Sequence, residues 1–327
     1  MIPRTTFYQE QAANRRDSLL LALAVVLVLA ALGFAIGYGL TGSLSATYLV
    51  VLGAVFLSLL LTAGSYFGGD SLVLSASHAR EVSAEQAPQL FNVVQEMAVA
   101  ANVPMPRVYI IDDSAPNAFA TGRDPKHASI AVTTGLLQKL DREELQGVIG
   151  HEMSHVRNYD IRFSLLVAVL VGSIALLADI FLRFTFFGGG PRRGNDREGG
   201  GGGLQIVLFV VAIVLAILAP IFARLVQLAV SRQREYLADA SSVDLTRNPA
   251  GLERALAKIA SDQDVLEVAN RATQHLYIVN PVKKFESRAR GLFSTHPPIV
   301  DRINRLRQLT GEPPLDAAAI RQLQGLD

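Results

Sequence analysis

His151-Glu152-Met153-Ser154-His155 lies in a helical pattern that opens at Asp141, with Glu144 three residues on, the spacing of a capping box. On a helix, residues i and i+4 share one face, about 6 Å apart along the axis. Two imidazoles in that register can converge on one tetrahedral metal ion. Glu152 is rotated by about 100° from His151, so its carboxylate approaches the open side of such an ion rather than the ion itself. There it can take a proton from a water polarised by the metal. The flanks are polar: Arg142, Glu143 and Glu144 precede the motif, and Arg157 and Asn158 follow it. The motif therefore sits in water, which argues against an intramembrane site.

An open metal site of this kind needs three protein ligands. The chain has no cysteine. That excludes disulfides, thiolate zinc sites, iron–sulfur clusters and a cysteine nucleophile, and leaves His, Asp or Glu for the third position. Further on, Arg234-Glu235-Tyr236-Leu237-Ala238-Asp239-Ala240 again places two carboxylates at i and i+4. One can ligate the metal while the other accepts a ring N–H from a ligand histidine, which fixes its tautomer and raises its basicity. The plain alternative is a solvated acidic face. His78, His127 and His275 have no paired spacing and read as ordinary surface or core residues. Asp160 reads as the N-cap of the segment that follows it.

Around these motifs the chain is apolar. Of its 327 residues, 50% are hydrophobic and only 18% charged, below the roughly 25% charge of a soluble domain. Disorder as the general state is excluded, and a net charge of +1 carries no nucleic-acid footprint. The charge deficit is concentrated in four runs: Leu19 to Leu40, Ala46 to Phe67, Phe163 to Phe187 and Leu204 to Val230. About 20 helical residues cross the ~30 Å hydrocarbon core, so each run is long enough to span. The first is too long for the apolar part of a signal peptide and is followed at once by the second, so it reads as a retained anchor. Asp179 and Arg183 in the third run stand i, i+4 and can pair, either at the membrane interface or against another span. The expected organisation is a tail (1–18), a membrane hairpin (19–67), a polar segment (68–162), a second hairpin (163–230) and a polar segment (231–327). The Gly/Arg-rich tip of the second hairpin, 188–203, has no packing potential. Arg107 to Ile111 and Ala128 to Thr133 read as short strands, and the two polar segments are expected to enclose one core.

These motifs together resemble the HtpX-type family of membrane zinc endopeptidases, gluzincins related to the CAAX-prenyl endopeptidases. His-Glu-x-x-His is followed by a membrane hairpin and then by Glu-x-x-x-Asp. Asn117-Ala118-Phe119-Ala120-Thr121-Gly122 is similar to the family's NAF-A-x-G segment, Ile130 to Leu137 to its edge strand, and Ser294-Thr295-His296-Pro297-Pro298 with Arg302 to its late HP motif. The resemblance implies a mainly α fold with a small β-sheet, four transmembrane helices and a zincin-like protease domain. It implies one Zn²⁺ per chain held by His151, His155 and Glu235, with Glu152 as general base and Asp239 orienting a histidine ligand. His296 would donate to the developing oxyanion. Asn117 would present the substrate backbone, and the strand carrying Ile130 and Val132 would pair with the substrate. The implied activity is cleavage of misfolded or membrane-associated polypeptides in membrane quality control and stress response. The alternative is a non-catalytic membrane scaffold with a structural zinc.

Topology agrees with a single site. His151 precedes the third run and Glu235 follows the fourth, so two crossings return the chain to one side. His155 is eight residues before Phe163, and a helix covers that in about 12 Å, so the metal is expected near the lipid surface. Arg4, Arg15 and Arg16 lie before the first run while Thr41-Gly42-Ser43 carries no charge. This bias favours a cytoplasmic catalytic face in the cell's inner membrane, against the pull of Arg192, Arg193 and Arg197 in the tip. The expected partners are polypeptides, membrane proteins above all, and the bilayer itself.

Overall fold

The computed structural model describes residues 42–166, 234–262 and 297–323, with residues 264, 266 and 276–278 and scattered positions between 16 and 38 and between 210 and 214. It divides into two compact units. One holds residues 68–165 and 228–327 with the first fifteen, and the other holds residues 16–67 and 166–227.

In the second unit, described positions between 16 and 38 are helical, and helix α1 (Leu44–Ala76) begins after the Gly42-Ser43 turn. A Cβ placed on Gly33 would lie 2.9 Å from the Cβ of Ala54, so the two helices touch through small residues. Leu49, Leu52, Phe56 and Leu59 project outward, exposed. Among the described residues α1 is the one helix long and apolar enough to cross a membrane. The helix runs nine residues past the expected end at Phe67. Gly68-Gly69 reads as a stop by propensity, yet tertiary packing overrides it. A Cβ on Gly69 would meet Leu165 Cδ1 at 2.9 Å, and Val73 and Leu74 are buried. Nearly all of the expected third and fourth runs, and the 188–203 tip, lie outside the described residues.

The first unit is built on a four-stranded mixed sheet in the order β1-β2-β4-β3. Its strands are β1 (Arg80–Glu81), β2 (Arg107–Ile111), β3 (Ala118–Gly122) and β4 (Ala128–Thr133). β2 and β4 run parallel, and β1 and β3 are antiparallel to their neighbours. The strands expected at Arg107–Ile111 and Ala128–Thr133 are present, but the second is not an edge. β4 is paired on both sides, and Ile130 and Val132 are fully buried. Its backbone groups are already spent within the sheet and cannot accept an added strand. The edge is β3.

Helix α2 (Pro88–Ala101) opens with Pro in its first turn, buries Leu90, Val93, Val94 and Met97 on one stripe, and ends at Asn102 in the left-handed region. After the short α3 (Thr134–Lys139), helix α4 (Arg142–Arg157) starts in a complete capping box. The Asp141 carboxylate accepts from Glu144 N–H, and the Glu144 carboxylate accepts from Asp141 N–H, both at 2.9 Å. α4 packs against α5 (Pro249–Ser261) at backbone distance: a Cβ on Gly147 would lie 2.7 Å from Leu252 N. Helices α6 (Ile299–Thr310) and α7 (Ala317–Leu323) complete the unit. One hydrophobic core joins Val93, Ile130, Val148 and Met153 from the first polar segment to Leu252, Leu256, Ile303 and Leu306 from the second.

Candidate metal centre

The buried face of α4 carries His151, Glu152 and His155 at the centre of this unit. His151 is fully buried, Glu152 nearly so, and the two rings stand edge to face with centroids 4.8 Å apart. Residues 234–246 are helical and bring Glu235 and Asp239 to the same place. The His151 Nε2, the His155 Nε2 and a Glu235 carboxylate oxygen lie within 4.8 Å of one another, a group that could hold a metal ion. The two Nε2 atoms are 3.2 Å apart. Glu235 Oε2 is 3.6 Å from His151 Nε2, and Oε1 is 3.5 Å from His155 Nε2.

The other ring nitrogens identify the tautomers. His151 Nδ1 is 3.0 Å from Asp239 Oδ1, and His155 Nδ1 is 3.0 Å from Asp160 Oδ2. A carboxylate only accepts, so each Nδ1 carries a proton and donates it. With the rings neutral, as a metal requires, both Nε2 lone pairs and the Glu235 oxygens point into one gap. Such an arrangement repels itself unless a metal ion, or a proton on an Nε2, sits between the donors. Two imidazoles and one carboxylate are the ligand chemistry of zinc hydrolases with an open position.

Charge around the gap is balanced from behind. Arg302 is fully buried and forks onto Asp239, with Nε 2.9 Å from Oδ2 and an Nη 2.7 Å from Oδ1. It also donates to Ile278 O at 2.8 Å and stands 3.4 Å from Glu235 Oε2. Although burial raises the Asp239 carboxyl, the Arg302 charge and the His151 hydrogen bond hold it below its ordinary value. Asp160 is backed by Arg234, 3.6 Å away, whose guanidinium lies over the Phe163 ring at 4.0 Å.

Glu152 points elsewhere, as the helical rotation requires. The Ala120 backbone amide lies close to its carboxylate, while its Oε1 is buried with no hydrogen-bond partner among the described residues. Burial pushes its carboxyl up, and the Glu235 charge adds to that, against the lowering by both histidines. A buried, under-bonded carboxylate of raised pKa beside a metal gap suits a general base.

The structure thus brings His151, Glu152, His155, Glu235 and Asp239 together. His296 lies outside the described residues. Asn117 is buried at the start of β3, where its backbone O accepts from Thr133 N–H at 3.0 Å and its Oδ1 from Ala118 N–H at 3.1 Å. Ile130 and Val132 sit in the interior strand. Two residues escaped sequence reasoning. Asp160, read as a helix cap, turns its carboxylate to His155 across the Asn158-Tyr159 turn, where Tyr159 takes a φ of 63°. Arg302 belongs to the late motif, and no periodicity marks an arginine for full burial.

A helix that presents two histidines and a glutamate to a gap closed by a distant carboxylate defines a metallopeptidase of the His-Glu-x-x-His class. Residues 83–310 match Peptidase family M48. The chain belongs to that family. It is 48% identical over 302 residues to the "Protease HtpX homolog" of Streptococcus uberis, across 92% of this chain and 99% of that protein. The "Protease HtpX homolog" of Lactiplantibacillus plantarum is 48% identical over 304 residues, with the same shares covered. The crystal structure of S. mikatae Ste24p superposes with a TM-score of 0.45 at 20% identity, over 77% of this chain and 57% of that one. The chain is a metalloendopeptidase with a metal cofactor and polypeptide substrates.

Proposed function

We propose that this protein is a zinc-dependent endopeptidase, anchored by four membrane spans with its site on the cytoplasmic face, that cleaves misfolded or membrane-associated polypeptides. The observation that carries the reading is the convergence of the His151 Nε2, the His155 Nε2 and a Glu235 oxygen within 4.8 Å. These three residues would hold the ion, and Asp239 and Asp160 would fix the ring tautomers. When bound, zinc supplies Lewis acidity, which polarises the scissile carbonyl and makes a water more acidic. Glu152 accepts the proton of the attacking water and returns it to the leaving amine. His296, by the family resemblance, donates to the developing oxyanion.

Substrate alignment falls to β3 rather than to β4. Residues 117, 119 and 121 face β4 with their backbone groups, so the N–H and C=O of Ala120 and the N–H of Gly122 face outward. That edge borders Glu152. A substrate strand added there would lay its backbone beside the base, with Asn117 at the start of the edge.

Membrane anchoring is supported by the apolar, outward-facing α1 and by the small-residue contact of the first hairpin. The short reach from His155 to the third run, eight residues, favours substrates at or near the bilayer. Glu152→Gln tests the mechanism. It is expected to retain metal at wild-type stoichiometry while cleavage of an unfolded or membrane-derived polypeptide falls by about 10²-fold or more. Wild-type turnover by this variant, with chelator controls excluding a contaminant, would overturn the reading.

A further inference from the structure

Outside the metal centre, the first unit contains a cavity of about 340 Å³ lined by Asp70, Met105, Arg107, Arg123, Lys126 and His127. Its charge is unbalanced. Three permanent cations, Arg107, Arg123 and Lys126, face Asp70 in the lining and Asp124 beside it, an excess of one positive charge. Arg107 gives one Nη to Asp70 at 3.0 Å, which leaves most of its five N–H donors available. Arg123 and His127 are drawn to Asp124, at 3.7 Å and 2.8 Å. Lys126 is exposed at the top of a 3-10 turn and pairs with no carboxylate among the described residues. A concavity of this size with several convergent N–H donors and an excess of positive charge suits a phosphate group bearing a small polar head.

Its place on α1 says which phosphate. Every residue from Leu44 to Gly69 is uncharged, and Asp70 is the first charge on the helix. That stretch measures roughly 39 Å at 1.5 Å per residue, enough for the hydrocarbon core and part of a headgroup layer. With α1 as a span, Asp70, the residue that directly follows the uncharged stretch, lies at headgroup depth. We infer that this cavity binds the phosphate of an anionic phospholipid headgroup, an inference that rests on α1 crossing the membrane. Basic pockets at the end of a membrane helix bind such headgroups by charge and donor geometry.

The test uses the full-length protein in neutral detergent, titrated with dioctanoyl phosphatidylglycerol, dioctanoyl phosphatidylcholine and inorganic phosphate and read by native mass spectrometry. Phosphatidylglycerol is expected to saturate one site and to bind about tenfold tighter than phosphatidylcholine. Lys126→Ala should weaken it about fivefold and Lys126→Glu further, with cleavage of a soluble unfolded polypeptide in lipid-free detergent unchanged. Equal binding of the two lipids, or no effect of Lys126→Glu, overturns the inference. So does displacement of the lipid by an equal concentration of inorganic phosphate, which would mark a free-phosphate site. Capture of an acidic peptide without phosphatidylglycerol binding overturns it in favour of a substrate exosite. Glu152→Gln kinetics judge the protease mechanism separately, and cysteine mapping along α1 judges the span. A span that fails there removes the lipid from the assignment even if phosphate binds.

Discussion

Asp160 holds the imidazole of His155 as Asp239 holds that of His151, yet the two carboxylates come from different parts of the chain. Asp160→Asn keeps an acceptor of the same shape but loses the charge. It is expected to lower metal affinity by about 10–100-fold in equilibrium dialysis; unchanged affinity would exclude a positioning role. Both rings also titrate unusually. Burial pulls each down, but Asp239 and Glu235 more than offset this for His151, and Asp160 and Glu235 do so for His155, which stands well above its ordinary value. In the metal-free protein this stabilisation is fully present below the unfolded histidine value near 6.5 and is lost as pH rises through the higher folded values. A metal requires neutral rings. Metal binding at pH 7 should therefore release protons, and affinity should climb with pH through that window. Calorimetry in buffers of different ionisation enthalpy measures the release, and its absence would show that the rings are already neutral.

At the scale of elements, the contact of α4 with α5 decides how firmly the histidines are held. Gly147 lets the backbone of α5 approach to a distance at which a methyl group has no room, because Leu252 N would be 2.7 Å from it. Gly147→Ala is expected to destabilise the protein by about 1–3 kcal/mol, read as a lower thermal midpoint in detergent. A neutral outcome would mean that α5 can shift without cost. The sheet illustrates a limit of reading strands one at a time. Ala118–Gly122 and Ala128–Thr133 are both short and apolar, and nothing local distinguishes an interior strand from an edge. Pairing of β2 with β4 across some twenty residues makes β4 central and leaves β3 facing Glu152.

At the scale of the molecule, the proposed four crossings place both polar segments on one side. The absence of cysteine makes this directly measurable. Single cysteines at Glu85 and Glu312, both exposed in the first unit, should be labelled from the cytoplasmic side, and one at Asn195 in the tip from the opposite side. Labelling of Glu85 and Glu312 from opposite sides would refute an even number of crossings between them.

Local periodicity alone determined much of this protein. The capping box at Asp141, the shared face of His151 and His155, the rotation of Glu152 and the apolar run of α1 each follow from neighbours within a turn or two, and a helix has fixed geometry at that range. Tertiary structure alone decided the rest. Which carboxylate faces which ring nitrogen, the recruitment of Asp160 through the turn at Tyr159, the burial of Arg302 on Asp239 and the interior position of β4 all depend on segments far apart in the chain. Side chains so separated meet only where a common core makes them meet, and packing of that kind leaves no period in the sequence.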